Sequence, residues 1–564
     1  PSTFYNDVTI IISPVFLRVK PLVLATMSLV SYTGTKIEAE RVMDKDGTAH
    51  TLRHWYSFRF KLVIEGVLIG LACGLIVSAY RYALEQAFHL LGLVRETIIG
   101  KPESVVVWIG ALILCGLVIG ELVKRNPLIS GSGIPQIEGF LSGRLEMSWW
   151  RILLAKFAGG VLAIGSGLSL GREGPSVQLG AAVGLGFSRV AGRTRVEERF
   201  LVTGGAGAGL AAAFNAPLAG VVFALEELHK NFSPFVLITA LSSALTASYV
   251  SGFFFGLKPV FSFPQLAALP AEHYVFVLLL GLALGLLGVL FNSSLFKSQD
   301  LYARTGLSPR FRSFIPLALS VPFLFYLPEV LGGGHELVVE LIGSSFAPVF
   351  LFVLLAGKFV FTMICYGSGA PGGIFLPLLS LGALAGALWA RVIAVPAGVD
   401  LAFLDNFIIF GMAGLFSAIV RAPITGIILI TEMTGSFQHL LSISLVSITA
   451  YVSADLMRSP PVYEALLERL LRFRGSCREE GFKPHEKTVF ELAVSPGSGL
   501  DGVRIQDVAW PEHSLIVAVR RGQSEIIPHG ETGIEAGDYL VMLTDCFHLG
   551  SVNEACAALL EPSG

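Results

Sequence analysis

Three glycine-rich motifs carry the residues whose types and spacing point most directly to chemistry: Gly131-Ser132-Gly133-Ile134-Pro135, Gly171-Arg172-Glu173-Gly174-Pro175 and Gly367-Ser368-Gly369-Ala370-Pro371-Gly372-Gly373-Ile374-Phe375-Leu376-Pro377. Each leads from a flexible turn into a helix. Glycine lets the backbone come close to a ligand, and a helix start offers unpaired N–H groups and a partial positive charge. Several such starts converging on one point would replace the water shell of an anion without full positive charges, which would hold it too tightly for release. The pattern therefore predicts an anion as ligand. One glycine-rich turn would be weak ground, since most are ordinary loops; three in one chain are far stronger.

Glu173 is a carboxylate within an otherwise apolar segment, where it is costly and marks function by default; a structural ion pair with Arg172 is the competing explanation. Ionised, it can occupy an anion site itself; protonated, it can leave. Glu226 and Glu227 follow the apolar run Val221–Leu225 and have the plainer explanation of a solvated helix end. Lys156 and Lys358 are expected to neutralise buried groups or helix ends and are not taken as ligands. His335-Glu336 is not a zinc-protease motif, because the fifth position is Val339, and the run Gly204–Gly209 lacks the Lys-Ser/Thr of a phosphate loop and suits close helix packing instead. Six cysteines without CxxC spacing imply neither a zinc site nor a disulfide framework. With no nucleophile–base pair, metal cluster or cofactor motif, an enzyme is not expected.

The elements that must hold these motifs are membrane helices. The mean hydropathy is +0.70, and 15% of residues are charged, against about 25% in soluble domains. A span needs about 20 apolar residues, which Leu62–Val77, Val105–Val123, Val275–Leu290, Val349–Tyr366, Phe407–Glu432 and Leu441–Leu456 approach or exceed. Other apolar runs are broken by Gly and Pro, and broken helices survive in a bilayer only where protein or a polar cavity covers them. A net charge of -2 gives no footprint for nucleic acid.

The chain also repeats itself. Lys156-Phe157 recurs as Lys358-Phe359, Gly171 as Gly373, Pro175 as Pro377, Gly180 as Gly382 and Gly184 as Gly386, all 202 positions apart; Ala216-Pro217 recurs as Ala422-Pro423 and Glu226 as Glu432, 206 apart. This pairs Glu227 with Met433, so Glu226 is expected to be structural and Glu227 specific to one half. Transporters place substrate sites at the interface of such repeats. The expected organisation is an unassigned segment 1–56, a membrane domain 57–470, a linker 471–486 and a soluble domain 487–564. Val8–Val30, interrupted by Pro14, Arg18, Lys20 and Pro21, fits a signal peptide poorly. Arginines at 189, 193, 195 and 199, and again at 469, 472, 474 and 478, mark cytoplasmic ends. The tail reads as short strands at Leu515–Arg520, Ile526-Ile527 and Tyr539–Leu543 with turns between.

From about Phe58 to Leu467 the motifs resemble those of the CLC chloride channel and transporter family. The resemblance implies an all-α polytopic membrane protein, an inverted repeat of tilted, broken helices forming a homodimer with one pathway per subunit, followed here by a small soluble α+β domain. It implies chloride ligation by the hydroxyls of Ser132 and Tyr463 and the amides of Ile374 and Phe375. It counts Gly133 and Ile134, in the Ser132 turn, among the chloride-binding residues, and amides around Arg172, Glu173 and Gly174, with Leu376, form an outer site. It makes Glu173 the gate and outer proton acceptor and Glu227 the internal proton acceptor of a chloride/proton antiporter, with chloride and protons as substrates. A passive channel and a receptor with vestigial transport stay open beside this. Residues 487–544 resemble the RCK-C or TrkA-C module, on Gly502-Val503-Arg504-Ile505, Ile516–Gly522, Ile527–Gly530 and Gly537-Asp538, and depart from the paired CBS domains of many family members. A small-molecule ligand of this tail is left open. The expected location is the inner membrane of a prokaryote with the tail in the cytoplasm.

Overall fold

In an apolar environment each backbone N–H and C=O must find its partner within the chain, and the sequence answers with helices. The computed structural model describes residues 47–475 and 487–560, apart from 102, 262, 264–266, 344–345, 495–496, 522–523 and 546–548. Segment 1–46, with Val8–Val30, and residues 476–486 of the expected linker lie outside the described residues. The chain divides into two units, Pro1–Glu138 with Met147–Ala465, and Gly139–Glu146 with Leu466–Gly564.

The first unit is helical: α1 (Gly47–Gly100), α2 (Ser104–Arg125), α3 (Ile134–Leu141), α4 (Trp149–Gly165), α5 (Glu173–Val190), α6 (Arg195–Phe214), α7 (Pro217–Phe223), α8 (Pro234–Phe255), α9 (Tyr274–Arg304), α10 (Pro309–Arg312), α11 (Phe314–Tyr326), α12 (His335–Leu341), α13 (Pro348–Gly367), α14 (Phe375–Trp389), α15 (Leu404–Val420), α16 (Pro423–Thr434), α17 (Leu440–Leu456) and α18 (Val462–Gly475). Among the described residues, eight helical segments are long and apolar enough to cross a membrane, including Pro234–Phe255 and Phe375–Ala394, which the sequence reading had not marked as spans. The expected stretch Phe407–Glu432 is two helices instead of one. Arg421 ends α15 in a left-handed conformation (φ 71°), and Pro423, which has no N–H to continue the ladder, begins α16. Repeat one breaks in the same way, at Asn215 (φ 54°) and Pro217.

The repeat is physical as well as textual. A Cβ on Gly180 would lie 2.1 Å from the Gly205 carbonyl oxygen, and one on Gly382 would lie 2.4 Å from that of Gly411; Gly184 meets Leu201, and Gly386 meets Phe407, in the same manner. So α5 packs on α6, and α14 on α15, backbone against backbone, as small residues allow in membranes. Gly171 pairs antiparallel with its own repeat counterpart Gly373, each donating to the other's carbonyl at 2.7 and 2.8 Å. A residue that exchanges both bonds with its own counterpart sits beside the two-fold axis relating the repeats, and the antiparallel sense means that the two halves run in opposite directions there.

The second unit is a four-stranded antiparallel sheet in the order β1-β4-β2-β3, from β1 (Lys487–Ala493), β2 (Ser514–Arg521), β3 (Ser524–Ile526) and β4 (Tyr539–Asp545), with α19 (Leu549–Leu559). Leu492, Val519, Leu540, Met542 and Val552 are buried in its core. The Gly537-Asp538 motif has a clear purpose: Asp538, fully buried, accepts from Arg521 Nε (2.9 Å) and Nη2 (2.8 Å) and from the Glu535 N–H (2.9 Å). The Arg521 guanidinium holds the Asp538 carboxyl below its usual range. The first unit's expected boundary at 470 falls inside α18, which continues to Gly475.

Two predictions follow from this packing. Gly180→Ala drives a methyl group into the Gly205 carbonyl and should cost about 1–3 kcal/mol, whereas Gly110→Ala, with nothing within 4 Å of the new carbon, should be neutral or slightly stabilising; equal thermal midpoints for the two purified variants would contradict the close packing. Because the folded Asp538 is depressed, its contribution is full above the ordinary aspartate range and lost as pH falls through the folded value. Arg521 is about one-third exposed and screened, so Arg521→Gln should loosen the domain at pH 7 by about 1–2 kcal/mol. Hydrogen exchange of β4 amides should report this, and the difference should vanish in acid.

Candidate functional site

The three motifs expected from the sequence meet in one place because their backbones hold one another. Gly372 N–H donates to Gly131 C=O at 3.0 Å, joining the third loop to the first, the Gly171–Gly373 pair joins it to the second, and Ser130 Oγ donates to Gly369 C=O at 2.9 Å. Lys156 donates to Ile129 C=O (2.8 Å) and Gly131 C=O (2.6 Å), and Lys358 donates to Val330 C=O (2.9 Å) and Gly332 C=O (2.7 Å). Both lysines are fully buried. Each therefore steadies a loop 25 to 28 positions upstream of itself, which agrees with the expected structural role.

Glycine is required at two points of this junction. Gly133 takes φ 94°, and a Cβ there would strike the Gln178 side chain at 2.4 Å; Gln178 in turn donates to Leu128 C=O at 2.9 Å. Gly174 packs on Ser132, whose Cβ would be 2.8 Å from an added carbon. Thus the start of α5 rests on the turn that opens α3. Gly373 lies against the Gly174 N–H, 3.1 Å from an added carbon, which brings the start of α14 to the same spot. Ile134-Pro135, Pro175 and Pro377 put a proline in the first turn of all three helices, where a missing N–H costs nothing, and the remaining first-turn N–H groups have no acceptor inside the helix.

The expected residues sort as follows. Ser132 is 1% exposed, and its Oγ accepts from Ile134 N–H at 3.3 Å, so it acts as a turn cap; its hydroxyl also meets that of Tyr366. Ile374 immediately precedes α14, Phe375 opens it, and the Phe375 ring packs among Phe214, Phe223 and Phe416. Tyr463 is fully buried, and its hydroxyl has no hydrogen-bond partner among the described residues. Arg172 immediately precedes α5, and its Nε stands 3.9 Å from Glu173 Oε1, too long for a hydrogen bond. The Glu173 carboxylate, fully buried, instead lies at Gly171 on the side of the Leu376 N–H and its own N–H, although neither of its oxygens completes a hydrogen bond of good geometry among the described residues.

Beside Glu173 the protein opens into a cavity of about 780 Å3 whose lining includes Arg81, Arg172, Gly334, His335, Glu336 and Leu376. A separate cavity of about 280 Å3 is lined by Glu226, Glu227, Lys230, Arg421, Pro461 and Glu464. Glu226 accepts from Ile424 N–H (3.2 Å) and Thr425 N–H (2.7 Å), and Glu432 from Leu218 N–H (3.1 Å) and Ala219 N–H (2.8 Å). Each repeat thus caps the half-helix of the other, a direct account of why both positions are acidic. Glu227 does nothing of this kind. It sits in a π-helical turn, Ala224–His229, is 5% exposed, and its Oε1 has no partner among the described residues. Its counterpart Met433 is buried in the regular helix α16. π-turns inside helices concentrate at functional positions.

Two residues escaped the sequence reading. Tyr366 brings its hydroxyl to Gly131 and Ser132, and Tyr80 buries a hydroxyl with no hydrogen-bond partner among the described residues beside Gly160, with its ring on Phe157. Tyr366 immediately precedes the third glycine motif, which could have drawn attention to it; nothing in the sequence around Tyr80 does so.

Comparison with known proteins agrees with this arrangement. The voltage gated chloride channel family matches residues 115–455, and the TrkA-C domain matches residues 489–545. The H(+)/Cl(-) exchange transporter ClcA of Vibrio cholerae serotype O1 is 36% identical over 434 residues, covering 73% of this chain and 90% of that protein; its namesake in Citrobacter koseri is 34% identical over 426 residues, covering 73% and 89%. A slow cyanobacterial Cl-/H+ antiporter superposes with a TM-score of 0.69 at 31% identity, covering 73% of this chain and 99% of its own, and a CLC-type fluoride/proton antiporter with 0.58 at 25%, covering 70% and 96%. A family match over more than half of the chain, relatives matched over nine-tenths of their length and a fold built on paired broken helices lead to one conclusion: the chain is an integral membrane protein that belongs to the voltage gated chloride channel family and carries a TrkA-C domain.

Proposed function

We propose that this protein exchanges chloride for protons across a membrane, with Glu173 as the gate and Glu227 as the proton acceptor on the other side. The observation that carries the reading is the position of the Glu173 carboxylate, buried against the amides of two helix starts. A negative group bound there by backbone dipoles occupies what an incoming anion needs. Protonation removes its charge and with it the attraction, so one event both loads a proton and vacates an anion site. The names of the relatives, H(+)/Cl(-) exchange transporter and Cl-/H+ antiporter, support the same substrates and a transport role rather than an enzymatic one.

In this reading the central chloride takes the hydroxyls of Ser132 and Tyr463 and the amides of Ile374 and Phe375, with Gly133 and Ile134 of the Ser132 turn also in the binding site. The amides of Arg172, Gly174 and Leu376 hold an outer anion. Neutral donors suit a transported ion, since each contributes modestly and none holds a full charge that would trap it. A chloride path lined by amides and hydroxyls offers a proton no titratable stop, which is why Glu227, buried and facing its own cavity, is needed. We assign a homodimer, a prokaryotic inner membrane and a cytoplasmic TrkA-C domain on the resemblance and on the arginine-rich helix ends; chemical cross-linking of native membranes tests the first.

Two experiments bear on this. In liposomes, a chloride gradient should drive protons uphill. Glu173→Gln and Glu227→Gln should both still pass chloride with pumping abolished, and only the Glu227 variant should keep its chloride flux dependent on external pH. Pumping that survives in Glu227→Gln would refute the route, and wild-type protein that passes chloride without pumping would make it a passive channel. Ser132→Pro removes one hydroxyl donor and reshapes the turn, so calorimetric titration should show affinity shifting from chloride toward nitrate; unchanged relative affinities would remove Ser132 from the site.

A further inference from the structure

The cavity reached by Glu227 is ringed by charge from several elements. Glu226 and Glu227 come from the π-turn, Lys230 from the residue after it, Arg421 from the end of α15 and Glu464 from α18, and Glu138 of α3 lies outside the lining, 3.8 Å from Lys230 Nζ. Two of these are committed elsewhere. Glu226 is held by the start of α16. Arg421 donates to Tyr451 C=O and Ser459 C=O, both at 2.8 Å, and stands 3.4 Å from Asp455.

Lys230 differs. It takes a left-handed conformation (φ 54°) that few residues other than glycine adopt, and its Nζ pairs with Glu464 while lying 3.8 Å from Glu138 Oε1. Glu464 directly follows Tyr463, and Glu138 lies six positions after Ser132. The lysine therefore sits between an exposed carboxylate (Glu464, 47%) and two buried ones (Glu138 and Glu227, each 5%). Its sequence neighbourhood, His229-Lys230-Asn231, reads as an ordinary solvated end, and only the fold sets it against these groups.

We propose that Lys230 is a positioning residue that sets the proton occupancy of Glu227, and that Glu464 is the water-facing carboxylate from which Glu227 receives its proton. A proton from solution binds Glu464, crosses the cavity and neutralises Glu227, and Glu464 is left ionised to take the next. Lys230 keeps the three carboxylates from repelling one another into permanent protonation, so that Glu227 can release what it receives. The functional consequence rests on the exchange reading above.

The test follows Glu227 directly, by infrared titration of the full-length protein in lipid, using the protonated-carboxyl band that disappears in Glu227→Gln. Lys230→Met should raise the midpoint of that band by on the order of one pH unit, Glu464→Gln should lower it, the double variant should return near wild type, and Lys230→Arg should leave it in place. Unmoved midpoints, or shifts of the same sign in both single variants, would overturn the proposal. If Lys230→Met fails to reach the membrane, Glu464→Gln decides alone, since a midpoint at or above wild type is incompatible with the proposed field. Absence of proton pumping by wild-type protein would sink the exchange reading, while these midpoints would still decide what Lys230 does.

Discussion

First-turn amides have no acceptor within their own helix, and inside an apolar protein they have no water either. This constraint shapes the transport unit. At α3, α5 and α14 three such ends are brought together, and the loops that precede them satisfy one another through the Gly171–Gly373 and Gly131–Gly372 bonds, while the Ile134 N–H is capped by Ser132 Oγ and the Glu173 and Leu376 N–H groups face the Glu173 carboxylate. Two buried lysines fix those loops from behind by donating to their carbonyls. A lysine is costly to bury without partners, and here backbone oxygens supply them. The result is a site that is positive by dipoles, held by glycines that permit close approach, and occupied by the protein's own carboxylate.

Symmetry and its failure divide the labour. Features shared by both repeats are mechanical: Gly180 and Gly382 let helices touch, Lys156 and Lys358 hold loops, and Glu226 and Glu432 cap each other's half-helices across the axis. Features found in one half only are the ones with chemical latitude. Glu173 has no acidic counterpart, since position 375 is Phe, and Glu227 stands opposite Met433. The π-turn around Glu227 is likewise absent from α16. The duplicated scaffold tolerates the departure at Glu227 because the capping interactions that stabilise it lie one residue away, at Glu226 and Glu432.

The C-terminal unit follows different rules, those of a half-solvated antiparallel sheet. Its core alternates along β4, while a bulge between Ile516 and Ala518 in β2 leaves Ala518 and Val519 both buried, and the buried carboxylate of Asp538 is matched by a two-pronged arginine, the geometry that best offsets burying a charge. This separates its stability from anion chemistry, in keeping with the absence of any of the proposed ligands beyond Tyr463.

Much of this was legible in the residues themselves. Apolar runs of span length, proline and glycine at fixed positions, a repeat offset of 202 and then 206, and carboxylates inside apolar sequence identify broken membrane helices in two related halves, and alternating short runs with turns identify the tail. These signals are local, or they repeat, and so survive in one dimension. What the tertiary structure alone decided is which distant groups meet: Gly171 on Gly373, Gly174 on Ser132, Tyr366 over Gly131, Glu226 on the start of α16, and Lys230 between Glu138 and Glu464. Helices of seven or eight residues are too short to show a periodicity that orients them, and a lysine after a helix reads the same whether it faces water or a buried carboxylate. The physical difference lies in partners more than two hundred positions away in several cases, Lys230 and Glu464 being 234 apart, which neither composition nor spacing records.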